Sequence, residues 1–515
     1  MLSQSVKQIT AVIFALVCLF FASKLLLIGT GFYPQPSLRE ILVFAGLILL
    51  LNASKKIFWY IVFPIIILHA LYAPVGMTFG APSYQYIASV FATDLLESKE
   101  FLSQLPLVNY LYPVAIISLF CLFRYLSQKF ELHFYKNKVL LAIIAVFLVW
   151  DNVPLKFIRE TYTAGIKVEK ELSRLNNFSI ENQWGKSSLT NSKYDDYVLI
   201  IGESARKDYH HAYGYPIPNT PFMSNANGVL IDGFTSGGTN TIASLKLMLT
   251  QPDTQNWEGN YSLNMIDMIK SAGIKTYWLS NQGYFGEFDT PISAIANRSD
   301  ERIFLKSGNS FQSKNSSDFD LLPKLQQVLA QPQVGKRFIV LHLYGSHPIS
   351  CDRLTDYPKI MDDNQIDKKY LNINCYISSI KKTDEMLKRV YEQLTQNQQK
   401  NHRTFSMIYF SDHGLAHQIT PNEINIHNSA GKSKRHYDIP LFKISSDDHQ
   451  RHEYKAFKSG LNFTNDIANW IGISNPLLDP NKDLFSPLAD PDDYGLKKQI
   501  EQIQAEDDPA IVIPN

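Results

Sequence analysis

Glu203, Thr241, Asp412 and His413 are the residues of this chain whose types and settings could do chemistry together. Glu203 closes the apolar run Tyr197-Val198-Leu199-Ile200-Ile201-Gly202, and Asp412-His413 closes Met407-Ile408-Tyr409-Phe410-Ser411. Two carboxylates and an imidazole meeting at one point supply the oxygen and nitrogen ligands that Zn²⁺ prefers, and three protein ligands with one open position make a catalytic arrangement. Thr241 follows Ser236-Gly237-Gly238-Thr239-Asn240 and opens an apolar-periodic segment, which places its hydroxyl at a helix N-terminus. Unpaired N–H groups and the positive end of the dipole there would hold an anion such as phosphate. A threonine hydroxyl is a poor nucleophile at its ordinary pKa, and a bound zinc ion would lower that pKa enough for attack on phosphorus. The residues alone leave blander readings open: a threonine in this setting also suits a helix cap, and an Asp-His pair at a strand end also suits a supporting role.

The elements that must position these groups are visible as apolar runs. Residues 197–203, 275–281, 338–347 and 406–413 each read as a buried strand ending in a polar or metal-competent residue. Such runs, separated by helix-length segments, predict a parallel α/β sheet covered on both faces, with ligands bound beyond the carboxyl ends of its strands. Glu203, Asn281, His347, Asp412 and His413 would then converge on one crevice.

The first 150 residues follow other rules. Apolar segments of membrane-spanning length, about 20 residues each, fall near 8–28, 38–53, 57–76, 106–123 and 138–153, which predicts five spans. Arg124, Lys129, Lys136 and Lys138 after the fourth segment, with Lys55 and Lys56 between the second and third, mark the cytoplasmic side. Everything after residue 154 then lies outside. A cleaved signal peptide does not fit, because no small-residue cleavage site follows the first run and four more runs come after it. The chain thus divides into a transmembrane domain at 1–154, a bridging helix and linker at 155–184, and a catalytic domain at 185–515. In the bridge, Leu155, Ile158, Tyr162 and Ile166 share one helical face, which suits a helix lying on a membrane surface or an ordinary packed linker. Residues 476–515, rich in Pro and Asp, read as an irregular wrap or tail. A formal charge of +1 gives no electrostatic case for a nucleic-acid partner. Cys18 and Cys121 lie in predicted spans; Cys351 and Cys375 lie outside, where an oxidising compartment predicts a disulfide.

Seven short motifs then carry a resemblance. Gly202-Glu203-Ser204-Ala205-Arg206 followed by Tyr213-Gly214-Tyr215 and Asn219-Thr220-Pro221, then Gly238-Thr239-Asn240-Thr241, Trp278-Leu279-Ser280-Asn281-Gln282, Gly345-Ser346-His347 and Ser411-Asp412-His413-Gly414 closely resemble the bacterial phosphoethanolamine transferases. The resemblance covers almost the whole chain and implies an alkaline-phosphatase/sulfatase-like α/β/α domain behind five membrane helices. It implies that Glu203, Thr241, Asp412 and His413 hold one Zn²⁺, with an optional second metal near His347 and His427, and that Thr241 is the nucleophile. His347 and His427 fall in the family's substrate pocket, with His436 a competitor for the second place, and Asn281 joins them at a strand end. The segment around Ser89, Thr93 and Glu97 is similar to a family helix lining the lipid-donor site, although the family usually has asparagine at the position of Ser89. The implied reaction moves phosphoethanolamine from phosphatidylethanolamine to a lipopolysaccharide sugar (core heptose, Kdo or lipid A) through a phosphothreonine, in a monomer of the bacterial inner membrane with a periplasmic catalytic domain. Rival readings are a phosphoglycerol transferase acting on a periplasmic glucan and a non-catalytic membrane protein that retains the fold. One departure is clear: many relatives have a disulfide bracketing the nucleophile, and this chain has Gly237 and Leu247 there.

Overall fold

The computed structural model describes residues 4–514 except 85, 88–94, 151–152, 178–180, 285–289, 308–314, 430–432 and 504. The chain forms two compact units, one of residues 1–87 and 101–169, the other of 88–100 and 170–515.

In the first unit, apolar sequence becomes helix. Three helices among the described residues are long and apolar enough to cross a membrane: Val6–Gly29, Lys55–Phe79 and Leu107–Lys129. They coincide with the first, third and fourth expected spans. The second and fifth form shorter helices, Leu38–Leu51 and Lys138–Trp150. At 14 and 13 residues and about 1.5 Å of rise each, they reach roughly 20 Å against a hydrocarbon core of about 30 Å. Ser37 and Glu40 close a capping box that starts the second helix where it does. The expected bridge is a helix, Val153–Asn177. Val153, Phe157, Ala164 and Val168 are its buried side, whereas Leu155, Ile158 and Tyr162 are exposed.

The second unit is built on strands β1 (Ser188–Leu189), β2 (Asp196–Gly202), β3 (Val229–Thr235), β4 (Lys275–Tyr284), β5 (Glu301–Ser307), β6 (Arg337–His342), β7 (Phe405–Ser411), β8 (Ala416–Ile419), β9 (Ile424–His427), β10 (Leu441–Ser445), β11 (His452–Ser459) and β12 (Ile473–Ser474). Eight of them form one sheet in the order β11-β3-β10-β7-β2-β6-β4-β5, in which only β10 runs against the rest. The four runs singled out from the sequence are β7, β2, β6 and β4, consecutive neighbours at the centre of the sheet. Their continuous hydrophobicity has a physical cause. Side chains alternate across a strand, so Tyr197, Leu199 and Ile201 enter the core on one face while Val198 and Ile200 enter the core on the other. Both faces are covered, as parallel sheets require.

The amino ends of these strands are held by charge. Buried Asp196 takes a bidentate bond from Arg337 (2.7 and 2.8 Å) and a further one from Arg403 (2.7 Å). With that end stitched shut, the carboxyl ends of β2, β4, β6 and β7 are free to carry chemistry. Cys351 and Cys375 form the expected disulfide, joining the short turn Ser350–Leu354 to the long helix Leu371–Asn401.

Candidate active site and metal centre

Strand β2 ends at Gly202 and delivers Glu203, which is 2% exposed. The backbone turns sharply there: Ser204 has a positive φ of 57°, a conformation that costs a non-glycine residue and is typical of functional turns. Its hydroxyl donates to Glu203 Oε1 (2.5 Å) and its N–H donates to Asp412 Oδ1 (3.0 Å). Neighbouring strand ends are tied to this turn through backbone. Asp412 N–H donates to Gly202 O (3.1 Å), and Ser346 N–H donates to Glu203 O (2.9 Å). Gly345, at φ +47°, lies so close that a Cβ would stand 2.9 Å from Glu203 N. Glycine is required there on both counts.

Asp412 and His413 follow β7. One oxygen of each carboxylate and a nitrogen of His413 all lie within 4.8 Å of one another, and all three residues are buried. His413 Nδ1 donates to Gly414 O (2.7 Å), which leaves Nε2 to face the carboxylates, 3.3 Å from Glu203 Oε1 and 3.6 Å from Asp412 Oδ2. Asp412 Oδ2 is buried without a hydrogen-bond partner. An orphaned carboxylate oxygen, a second carboxylate and an imidazole nitrogen with its tautomer set by a carbonyl form a donor set that fits a divalent cation.

Electrostatics within the triad are strongly coupled. Burial opposes the charged form of Glu203, but the contact with His413 outweighs it and holds the carboxyl well below the usual range. Asp412 goes the other way, pushed up to about 7 by burial and by the charge of Glu203. His413 is raised to about 9: burial works against its charge, and Asp412 and Glu203 more than compensate. Two buried carboxylates this close need a positive charge beside them.

Thr241 opens the helix Thr241–Met248. The cap is its neighbour: Asn240 accepts from Ala243 N–H (2.8 Å), so the threonine hydroxyl is released from capping and donates to Glu203 Oε2 (3.0 Å). Gly238 packs against this first turn, where a Cβ would stand 2.7 Å from Ser244 N. Thr241 is half-buried, unlike the three groups beneath it.

The other expected site residues divide. His347 follows Gly345 by two residues and stacks on Tyr344, ring centroids 4.8 Å apart. Buried His427 sits at the end of β9, opposite Ala416 in the hairpin that follows the Asp412-His413 turn. His436 is committed elsewhere: Nδ1 donates to Ser433 O (2.9 Å) and Nε2 accepts from Ser429 N–H (3.1 Å). Burial pushes it down to about 3, so it is neutral and structural. Asn281 does not meet the cluster. Its amide donates to Ser316 O (3.0 Å) and Asp318 Oδ1 (2.8 Å), and Asp318 in turn accepts from Tyr344 N–H and Gly345 N–H. Asn281 therefore shapes the Gly345 turn, and it is the adjacent Gln282 that reaches Glu203 Oε2 (3.3 Å) and Leu343 O (2.7 Å). Ser89 and Thr93 lie outside the described residues, as does the side chain of Glu97.

Sequence reasoning missed Gln282, Ser204, Asp318 and His342. Gln282 was signalled only by its place beside Asn281. Buried His342, at the end of β6, is pushed down to about 4 by burial despite the neighbouring charge of Glu203. Arg206, inside a motif, is not at the cluster. It is buried and pairs with Asp208 (2.7 Å) and Asp508 (3.1 Å), so it fastens the carboxyl-terminal tail to the turn after Glu203.

Known proteins resemble this arrangement at several levels. The Sulfatase family matches residues 195–473. A Haemophilus influenzae protein named "Putative phosphoethanolamine transferase" is 58% identical over 417 residues, covering 81% of this chain and 86% of its own length. The phosphoethanolamine transferase OpgE of Escherichia coli is 31% identical over 475 residues, covering 88% and 87%. Among solved structures, the integral membrane lipooligosaccharide phosphoethanolamine transferase A from Neisseria meningitidis aligns over 90% of this chain and 95% of its own, with a TM-score of 0.58 and 16% identity, a likeness of fold.

Proposed function

This chain belongs to the phosphoethanolamine transferases, with their sulfatase-family domain at residues 195–473, and from that premise we propose that it moves phosphoethanolamine from phosphatidylethanolamine to a lipopolysaccharide sugar through a covalent adduct on Thr241. The observation that carries the reading is the Thr241 hydroxyl, half-buried at a helix start and bonded to Glu203 above a buried Glu203–Asp412–His413 cluster.

Glu203, Asp412 and His413 would hold the cation, and zinc bound there supplies a positive charge that makes a nearby hydroxyl more acidic and steadies charge on phosphoryl oxygens. The protein does the rest. In the first half-reaction the Thr241 oxygen forms a bond to phosphorus, its proton passes to solvent on the open side, and the bond to diacylglycerol breaks. In the second, the acceptor hydroxyl bonds to phosphorus, the bond to Thr241 breaks, and the hydroxyl is restored. First-turn N–H groups of the Thr241 helix would face the anion in both, Asn240 keeps the Thr241 hydroxyl out of capping, and His347 and His427 would serve proton transfer and headgroup contact. Ser89, Thr93 and Glu97 would line the approach of the donor. Apolar helices at 6–29, 55–79 and 107–129 fit an inner-membrane anchor with the catalytic unit in the periplasm. The exposed Leu155, Ile158 and Tyr162 suit a bridge lying on the lipid surface. Held there, the enzyme searches for its donor in two dimensions.

Incubation with headgroup-labelled phosphatidylethanolamine or phosphatidylglycerol tests this directly. Label should appear on a peptide containing Thr241 from the first lipid only and vanish in Thr241→Ala. Label from phosphatidylglycerol instead would establish the phosphoglycerol transferase, and no label from either would leave a non-catalytic protein. Mass spectrometry of lipopolysaccharide from cells with and without the gene identifies the acceptor; an unchanged spectrum rules that polymer out.

A further inference from the structure

We infer that Glu100 is a positioning residue for His347, holding the Nδ1 side of that imidazole so that Nε2 delivers the proton to the departing diacylglycerol; the inference rests on the transfer reaction proposed above. Glu100 belongs to the catalytic unit and lies on the helix Leu95–Ser103. It is buried, with Oε2 3.4 Å from His347 Nδ1 and Oε1 bonded to Arg353 Nη2. His347 Nδ1 is buried and makes no hydrogen bond within normal geometry, Glu100 Oε2 at 3.4 Å being the carboxylate oxygen that faces it, while the side chain as a whole is 24% exposed.

Each partner is braced. The His347 ring is stacked on Tyr344 at an interplanar angle of 13°. The guanidinium of Arg353 lies 4.3 Å from the centre of that same Tyr344 ring, and its Nη1 donates to Asn315 Oδ1 (2.9 Å). Lys382 Nζ donates to Arg353 O (2.8 Å), and the Cys351–Cys375 disulfide fastens the turn two residues before Arg353. The disulfide thus steadies the turn that grips Glu100, and Glu100 steadies the imidazole. This is the carboxylate–imidazole logic of acyl-transfer triads, in which the carboxylate fixes tautomer and orientation without itself taking the proton. The ring belongs to the turn after β6 that packs on the Glu203 backbone, where Gly345 lies against Glu203 N and Ser346 N–H donates to Glu203 O. Arg353 alone would suffice to neutralise a buried glutamate; the second oxygen, turned to the imidazole, is what a purely structural pair would not need.

The proton accounting is closed. As the Thr241–phosphorus bond forms and the phosphorus–oxygen bond to diacylglycerol breaks, the Nε2 proton goes to the departing oxygen. In the second half-reaction Nε2 takes a proton from the acceptor hydroxyl, and Thr241 regains one from solvent.

A donor that needs no acid separates this role from simple packing. Full-length enzyme in detergent is given phosphatidylethanolamine or the 4-nitrophenyl ester of phosphoethanolamine, whose nitrophenolate leaves unprotonated. With the lipid, Glu100→Gln should lower the rate of Thr241 labelling by about 10- to 100-fold at nearly unchanged KM, and with the nitrophenyl ester it should label at the wild-type rate. With the lipid, His347→Gln should lose at least as much as Glu100→Gln, and the double variant should lose no more than His347→Gln alone. Should Glu100→Gln misfold with Arg353 left unbalanced, Glu100→Gln/Arg353→Met carries the same comparison. Wild-type rates with the lipid, or equal losses with both donors, would overturn the inference. If wild-type enzyme labels Thr241 from neither donor, the transfer reading itself falls, which is a distinguishable result.

Discussion

Glu203 is the side chain on which the site converges. Thr241, Ser204, Gln282 and His413 all approach its two oxygens, so one carboxylate links the helix start, the turn after β2, β4 and the His413 imidazole in a single network. Gln282→Ala should slow Thr241 labelling by about tenfold, in the range seen when a group supporting a metal ligand is removed, with the thermal midpoint nearly unchanged. His436→Ala should do the reverse in emphasis: it leaves Ser429 N–H without its partner and should cost about 1–3 kcal/mol of stability, read by denaturant titration. Buried histidines also set a pH dependence. His210 and His342 are pushed down to about 4 and His436 to about 3, each mainly by burial. Their unfolded-state value is about 6.5, so the unfolded chain binds more protons than the folded one below that pH. Stability from these groups is present above about pH 6.5 and is lost as pH falls toward 4. Asp412 and Asp384, each pushed up to about 7 chiefly by burial, act in the opposite sense over the same range, so the histidine contribution is read as a difference: in thermal melts from pH 7 to 4 in detergent the wild-type midpoint should fall more steeply than that of His436→Ala, and equal slopes would contradict the assignment of that ring as neutral.

Three strand ends and one helix start must meet for the site to exist, and they meet through backbone as much as through side chains. Gly345 is the tightest point. Gly345→Ala would place a methyl 2.9 Å from Glu203 N at a φ of +47°, and the strain, about 1–3 kcal/mol, should be relieved by moving Glu203. The expected result is loss of Thr241 labelling in a protein that still folds, checked by circular dichroism beside the labelling assay. The Thr241 helix has no disulfide to brace it. Its Lys246 is buried near Glu171 (3.5 Å), which also accepts from Tyr261 O–H (2.5 Å), so an ionic contact ties it near the end of the helix Val153–Asn177.

For the molecule as a whole, the tail is a long-range fastener, and the proposed cation would be a second. Asp508 pairs with Arg206 and His417, and Ile511 donates its N–H to the Tyr209 hydroxyl oxygen and accepts at its carbonyl from the Tyr215 hydroxyl. Deleting residues 505–515 strands the buried Arg206 without one of its two carboxylates, and loss of one partner of a buried pair costs about 3–5 kcal/mol; the thermal midpoint should fall and transfer should fall with it. Chelation should also lower the midpoint, and zinc should restore it in proportion to its concentration over its dissociation constant. Insensitivity to both would remove the cation from the proposal.

Much of this was legible before any coordinates. Period-two burial on both faces makes a central parallel strand uniformly apolar, so the four runs at 197–203, 275–281, 338–347 and 406–413 announced both the sheet and the residues at its carboxyl edge. The long apolar helices are legible by length, although the second, started at the expected place by the capping box at Ser37, ends at Leu51, and the fifth ends at Trp150, ahead of the helix that begins at Val153. What a linear pattern does not carry is partnership. Asn281 and Gln282 are neighbours of similar chemistry, yet only the packing of β4 against Asp318 turns one away from Glu203 and the other toward it. By spacing His427 is the nearer candidate and His436 its competitor, and only the folded contacts with Ser429 and Ser433 take up both nitrogens of His436. Periodicity is a property of the chain and survives in its sequence; which polar atom meets which depends on close packing among segments hundreds of residues apart, and that exists only once the chain has folded.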